Sequence, residues 1–400
     1  MKSFMDDSLN SFGATTEGSS AGPLSDLVVV DLSRVLAGPY ATMVLSDLGA
    51  RVIKVERPGT GDDSRAIGPF KDGKSAYFTS INRGKQSIAL DLKRAEDREI
   101  FEAMLARADI LVENFRPGTM KKLGYGWSAL HARFPQLIYA AASGFGHTGP
   151  DSQKASYDMV VQAMGGIMSV TGHPGGPPTR VGTSIGDITA GLFTVIGILS
   201  GVHDRQKTGE GRFVDVAMLD GQIAILENAI ARYAVTGKAP GPLGARHPSI
   251  TPFAAYPCRD AHVVIAAGND ALFTALCRAM DLRELLDDPR FATNETRSDH
   301  ADALGEILSA RLGEADAADW LARLDAAGVP AGPLHDVGEA LGHPQVRARN
   351  MAIETAFEDG TPLTAAGNPV KISGFDDPAS RPKAPRLDEH REQILKDLGL

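Results

Sequence analysis

Leu27-Val-Val-Val-Asp-Leu-Ser-Arg-Val-Leu-Ala-Gly-Pro39 decides how the rest of the chain is read. Its first five residues are a continuous apolar run of strand length that ends on an acid, the pattern of a strand buried on both faces of a parallel sheet. Gly38-Pro39 then opens a helix with proline in its first turn, and Gly49 closes it. Arg51-Val-Ile-Lys-Val-Glu56 is a second strand. Further out, Ser87–Leu92, Asp109–Glu113 and Leu137–Ser143 read as strands, with a helix over Ala95–Ala108. Strands alternating with helices make right-handed βαβ units and a parallel sheet. The expected fold class is therefore α/β, with a Rossmann-like large domain.

Downstream, a glycine-rich stretch from Gly165 to Gly191 leads into an apolar helix from about Ile188 to Gln206, which Lys207-Thr-Gly-Glu-Gly-Arg212 breaks. A strand (Phe213–Ala217) and one helix (Leu219–Tyr233) precede a Pro- and Gly-rich loop over Thr236–Pro252. His262–Ala267 reads as a strand, Ala271–Met280 as a helix, and the acidic, Ala-rich region to Ala327 as helical. The expected division is a disordered tail at 1–22, a first part of the large domain at 23–200 and a linker at 201–225. A smaller α+β domain at 226–325 follows, then a return to the large domain and a C-terminal section at 326–400, ending in a helix over Glu389–Leu398.

Composition narrows the function classes. With 400 residues, length alone implies about two or three domains. Hydrophobic residues at 43% and charged residues at 23% exclude wholesale disorder. A formal charge of −9 argues against a nucleic-acid binder, while leaving room for a local basic patch around a phosphorylated ligand. Cys258 and Cys277 are too few for a disulfide framework or a thiolate zinc site, so a reducing cytoplasm is the expected compartment. The histidines show no metal-ligand spacing, and no metal is expected. Leu192–Leu199 is the longest apolar run and falls short of the roughly 18 residues of a membrane span, so no membrane partner is expected.

Gly68-Pro-Phe-Lys-Asp-Gly73-Lys74-Ser75 satisfies the P-loop pattern, yet no hydrophobic strand precedes it, and a surface turn is the better reading. The turn Ser33–Pro39 lacks the glycine fingerprint of dinucleotide binding. Basic and polar residues recur at the strand ends: Arg57, Lys93 and Asn114 to Arg116, with Arg65 and Lys122 in nearby loops. Strand C-termini of a parallel sheet share one edge, so these positions converge as an anion site would need, or as ordinary solvated loop charges. Asp187 stands at the N-cap or first turn of the long helix, where helix-end amides would keep a nucleophilic carboxylate ionised. Taken alone it is more often only a helix cap, and the same holds for Asp158, which follows Tyr157 at the start of another helix.

Together these segments resemble family III CoA-transferases, the group containing formyl-CoA transferase and carnitine CoA-transferase. The matching stretches are Val30–Pro39, Asp47–Arg57, Val112-Glu-Asn-Phe-Arg-Pro-Gly118, Ser143-Gly-Phe-Gly146, Gly186-Asp187 and Thr208-Gly-Glu-Gly-Arg212, spread from about residue 23 to the end. The resemblance implies that Asp187 is the nucleophile, with Asp158 as its supporting acid and Tyr157 beside them. It places coenzyme A contacts on Val35 and Leu36 near the thioester. Adenosine and phosphate contacts would fall on Arg57, on Leu90, Asp91, Leu92 and Lys93, on Asn114, Phe115 and Arg116, and on Lys122 in place of an arginine. Formyl-CoA transferase carries a lysine where Ala155 stands, which leaves open whether the neighbouring Lys154 replaces it. An interlocked homodimer is also implied, with coenzyme A as co-substrate and no permanently bound cofactor.

The implied reaction moves CoA from an acyl-CoA to a carboxylic acid through an aspartyl-CoA thioester. A racemase branch of the same family would need a histidine where Tyr157 stands, and tyrosine, with a reference pKa of about 10, is a poor base at neutral pH. A non-catalytic CoA-binding protein would have no use for Asp187. Gly244-Ala-Arg246-His247-Pro-Ser249-Ile-Thr-Pro-Phe253 looks like the members that handle succinyl-CoA and other dicarboxylates. Arg246 would hold the distal carboxylate, with His247 or Ser249 adding a hydrogen bond; Arg246 as a brace of a surface loop is the competing reading.

Overall fold

The computed structural model describes residues 22–400, so the tail expected at 1–22 lies, apart from Gly22, outside the described residues. Eight strands of the large unit come in the order β1 (Val28–Asp31), β2 (Arg51–Glu56), β3 (Phe70–Lys71), β4 (Lys74–Ser75), β5 (Gln86–Ala89), β6 (Ile110–Glu113), β7 (Ile138–Ser143) and β8 (Phe213–Ala217). Six of them form one sheet in the order β5-β2-β1-β6-β7-β8, every pair parallel. Counted along the chain the order is 3-2-1-4-5-6, the doubly wound arrangement, with its topological switch between β1 and β6.

The helices between these strands are α1 (Ala37–Asp47), α2 (Ala76–Asn82), α3 (Ala95–Leu105), α4 (Thr119–Lys122), α5 (Trp127–Arg133), α6 (Asp158–Met164), α7 (Ile167–Val170) and α8 (Ile185–Thr208); α9 (Met218–Ala224) follows β8. Alternation along β1 sends Val28 and Val30 into a core with Phe101, Met104 and Leu130 on one face of the sheet. Leu27 and Val29 enter a second core with Leu45, Val195 and Ile198 on the other. Helix α8 can lie on α1 because Gly191 has no side chain: a Cβ there would sit 2.9 Å from the Ala37 carbonyl oxygen. By length and composition α8 is apolar enough to cross a membrane, which corrects the expected limit of a short run at Leu192–Leu199. Its Ala190, Val195 and Ile198 are buried against the sheet and α1.

The chain divides into two compact units, one of residues up to 167, 180–231 and 344–400, the other of 168–179 and 232–343. The expected linker at 201–225 is instead the end of α8, edge strand β8 and α9, because the apolar Phe213–Ala217 run pairs with β7. The expected helix over Leu219–Tyr233 is two helices, α9 and Glu227–Thr236. The small unit is a three-stranded antiparallel sheet, β9 (Phe253–Pro257), β10 (His262–Ala266) and β11 (Ala331–Pro333), with its core around Trp320, Phe273 and Leu308. Because β11 pairs with β10, the chain leaves this unit at 343 and not at 325.

Two smaller features complete the large unit. The P-loop-like stretch is the β3–β4 hairpin, turned by Asp72 and Gly73 at φ 49 and 76. The Ser75 hydroxyl caps α2 by accepting from Phe78 N at 3.0 Å, so no phosphate cradle forms. The C-terminal section carries the hairpin β12 (Ala352–Ala356) and β13 (Pro362–Ala366) and a helix over Arg391–Leu398. Asp388 accepts from Ala89 N at 2.7 Å and His390 N donates to Ser87 O at 3.0 Å, which covers the β5 edge.

Glycine spacing yields a paired stability test. Gly191→Ala should lower the unfolding free energy by about 1–3 kcal/mol in urea titrations, since backbone must move to admit the methyl. Gly305→Ala, mid-helix with nothing within 4 Å of the added Cβ, should raise it by about 0.5–1 kcal/mol. Equal effects would show that the α1–α8 approach does not need the glycine.

Candidate active site

In a doubly wound sheet the ligand site lies outside the carboxyl ends of the strands at the switch, here between β1 and β6, and the residues on either side are tied together. Asn114, just after β6, accepts from Arg34 N at 2.8 Å and donates through Nδ2 to Arg34 O at 2.7 Å. The next residue, Val35, has φ 64, a left-handed conformation that a β-branched residue adopts only under constraint. The cost is about 1–3 kcal/mol. Asp62 supplies the constraint by accepting from Val35 N at 3.1 Å and from Ser64 N at 2.8 Å.

Beneath this turn lies a buried group of charges. Lys54 Nζ stands 2.8 Å from Asp62 and donates to Ser33 O at 2.7 Å. Lys85 Nζ contacts Asp31 at 3.1 Å, Thr42 Oγ1 at 2.7 Å and Pro39 O at 3.0 Å. Asp31 also accepts from the Ser33 main chain at 2.8 Å and from Thr42 at 2.6 Å. Burial opposes the charge on Asp31, yet Lys85 and Lys54 with the two hydroxyls hold it below the usual carboxylate range. Burial likewise opposes Lys54, and Asp31, Asp62 and Glu56 together hold its pKa above the ordinary value. Burial pushes Lys85 down to about 8 against the pull of Asp31. Both lysines and both aspartates are thus fixed by one another.

Asp187 is the third residue of α8 and half-buried, and its carboxylate accepts no hydrogen bond from the described residues. Burial, with the Asp158 carboxylate beside it, pushes it up to about 7. This corrects the expectation that helix-end amides keep it firmly ionised: the dipole is present, but desolvation and a like charge outweigh it. Asp158 opens α6, accepting from Gly186 N at 2.8 Å and from Gln162 Nε2 at 2.7 Å. Gly186 must be glycine because a Cβ would lie 2.9 Å from Val161 and 3.0 Å from Asp158 Oδ1. Tyr157 caps α6 through its main chain, while its ring is 78% exposed. Lys154 is paired with Asp151 at 2.8 Å on the surface.

The other expected contacts cluster on four neighbouring strands. Leu36 is buried against Met43 and Ile81. Arg57 is exposed and paired with Asp63, which also holds Arg34 at 2.8 Å. Leu90 is buried and continues the β5 pairing to Glu56 O, Asp91 accepts from Lys93 N at 3.0 Å, and Leu92 packs on the core below. Lys93, Arg116 and Lys122 are exposed, and Phe115 is half-buried with Arg34 5.8 Å from its ring. Arg65 is engaged by Glu56 at 2.8 Å and serves the fold. In the small unit, Arg246 pairs with Asp302 at 2.5 Å, His247 stacks on Phe253 at 5.2 Å, and Ser249 N donates to the His247 ring at 3.1 Å. No group of three or more metal-ligating side chains occurs among the described residues.

Sequence reasoning missed two things. Tyr77, on α2, packs beside Val35 and Leu36, and its pKa is pushed up to about 12 by burial and then by the carboxylate of Asp187. The aromatic pair after the P-loop-like stretch was its signal. Lys54 was signalled by its place between Ile53 and Val55 in a strand that reads as buried, while Lys85 carried no such signal.

The raised carboxyl makes a stability prediction with a definite sign. A folded pKa above the ordinary 3.8 means that Asp187 stabilises the fold while protonated and that this contribution is lost as pH rises through about 7. Asp187→Asn should therefore gain stability over the parent as pH rises from about 4 to about 7, by on the order of 1–2 kcal/mol in chemical denaturation. A difference that is flat across that range would place the Asp187 carboxyl in an ordinary environment.

Comparison with known proteins follows the same lines. Residues 24–391 match the model of CoA-transferase family III. The chain is 49% identical over 386 residues to an acetyl-CoA:oxalate CoA-transferase of Acetobacter aceti, covering 96% of this chain and 98% of that one. It is 39% identical to a succinate–glutarate CoA-transferase of Agrobacterium fabrum, covering 94% and 96%. Among solved structures, a CaiB/BaiF family protein from Brucella suis superposes with a TM-score of 0.83 at 40% identity, covering 95% of this chain and 100% of that one. The chain belongs to CoA-transferase family III.

Proposed function

We propose that this enzyme transfers CoA from an acyl-CoA to a short dicarboxylic acid through an aspartyl-CoA thioester on Asp187. The observation that carries the reading is the Asp187 carboxylate, unpaired in the first turn of α8 and near Tyr77, which itself packs against the cluster that holds Leu36. An oxygen of Asp187 attacks the thioester carbonyl, the C–S bond breaks, and CoA leaves as the thiolate with a mixed anhydride left behind. The thiolate attacks the aspartyl carbonyl and the donor acid departs as its carboxylate. The acceptor carboxylate then runs both steps in reverse. Splitting the exchange this way conserves the thioester. A carboxyl titrating near 7 is ionised in a useful fraction at neutral pH and remains a better nucleophile than one tied up in hydrogen bonds.

The exposed apolar side chains Leu192, Phe193 and Ile196 on α8 and Tyr157, Met159 and Val160 near α6 support a homodimer in which a second copy covers this face. Light scattering should then give twice the mass of the chain; a monomer would remove the proposal. With Cys258 and Cys277 as free thiols, a reducing compartment such as the cytoplasm suits the chain.

For the acceptor, Arg246 is the specificity residue. Its partner Asp302 is 88% exposed, and an exposed pair contributes only about 0–1 kcal/mol, so a substrate carboxylate can displace it. Succinyl-CoA as donor and a four- to six-carbon diacid as acceptor follow from the Gly244–Phe253 segment. The oxalate in the name of a 49% identical relative brings the two-carbon diacid and an acetyl-CoA donor into the range to be assayed. The test is a panel of oxalate, succinate, glutarate, mesaconate, citramalate, formate and carnitine against both donors. A diacid should win, and Arg246→Ala should raise the KM for it by about tenfold or more, the loss of a charge-assisted hydrogen bond. A monocarboxylate preference, or an unchanged KM, would contradict the assignment.

A further inference from the structure

Glu113 closes β6 with a carboxylate that is 2% exposed, in a place where the strand itself has no need of an acid. A buried carboxylate costs several kcal/mol of desolvation unless its oxygens are satisfied. Here Oε2 accepts from the main-chain N of Phe115 at 2.6 Å, and Oε1 accepts from the Tyr139 hydroxyl at 2.8 Å. His147, from the loop after β7, places Nε2 3.9 Å from Oε1, and Asp215 on β8 holds the His147 main chain at 3.0 Å. Burial is the main influence on the Glu113 carboxyl and raises it to about 7; the Phe115 and Tyr139 hydrogen bonds act against the rise, and Asp215 adds to it.

What this carboxylate fixes is the turn that begins one residue later. Bonding to Phe115 N pins the main chain on the far side of Asn114, and Asn114 in turn grips Arg34 through both of its amide atoms. Arg34 leads directly into the left-handed Val35. Three segments, after β6, after β7 and after β1, thus meet through the adjacent side chains of Glu113 and Asn114. We infer that Glu113, backed by Tyr139, is a positioning residue for the coenzyme A crevice, acting through Phe115 and Asn114 on the Arg34–Val35 turn. It touches neither thioester nor acid, so its effect falls on CoA binding and leaves acid binding alone.

This inference rests on the CoA-transferase reading, and calorimetric titration of the full-length protein with free CoA separates the two. A parent protein that does not bind CoA would overturn that reading. Given a parent that binds, Glu113→Ala should weaken CoA and raise the KM for the acyl-CoA donor by about tenfold, with kcat and the KM for the acid changed by less than about threefold. Glu113→Gln, whose amide oxygen still accepts from Phe115 N, should recover most of the loss. Tyr139→Phe, a near-isosteric change that keeps the fold should Glu113→Ala fail to fold, should weaken CoA by about two- to fivefold. Unchanged CoA affinity in Tyr139→Phe and in whichever Glu113 variants fold, or equal losses for CoA and acid, would overturn the positioning role.

Discussion

Two lysines and two aspartates without access to water hold the mouth of the parallel sheet, and the crevice takes its shape from them. Lys54 links the Ser33 carbonyl to Asp62, Asp62 holds the strained Val35, and Lys85 ties Asp31 to the first turn of α1. Such groups are rarely a bargain in stability, because desolvation of each ion offsets most of the attraction. Their value is geometric. With every member held by two or more hydrogen bonds, to its charged partner and to nearby main chain or hydroxyls, the turn after β1 has one conformation, and removing any single partner would strand a buried charge.

Chemistry and architecture meet at that turn. The doubly wound strand order sends the loops after the paired strands β1 and β6 in opposite directions, the place where such sheets take a ligand, and Asn114 bridges the two loops. Helix α8 can bring its first turn close to α1 only because Gly191 lacks a side chain, and Gly186 makes room for Asp158 one residue before Asp187. The Asp187 carboxylate, the proposed nucleophile, is thereby half-buried next to another acid, which raises its pKa, and it is left without hydrogen-bond donors that would blunt it. A carboxylate tied down by helix amides would be more stable and less reactive.

Much of the sheet was legible in the sequence because buried parallel strands write themselves as unbroken apolar runs, as Val28–Asp31 and Ile138–Ser143 do. Family resemblance implied the roles of Asp187, Arg57 and Asn114, which spacing alone did not separate from helix caps and surface charges. Harder to read was anything set by tertiary contact. Phe213–Ala217 read as a strand, but its glycine- and charge-rich neighbours placed it in a linker, and only pairing with β7 makes it an edge strand of the large sheet. The small unit outlasted its expected end because β11 is just three residues long. Tyr77, Lys54 and Glu113 gain their meaning from what packs against them, and the pKa of Asp187 from burial that no one-dimensional pattern encodes.

The central claim is a covalent bond between Asp187 and CoA during turnover, and trapping it is the most direct measurement. Incubation with an acyl-CoA, quenching with hydroxylamine and peptide mass spectrometry should find a hydroxamate on the peptide carrying Asp187 and nowhere else, dependent on the acyl-CoA. Sustained CoA exchange with Asp187 unmodified, or with the hydroxamate on another carboxylate, would contradict the assignment of Asp187 as the nucleophile.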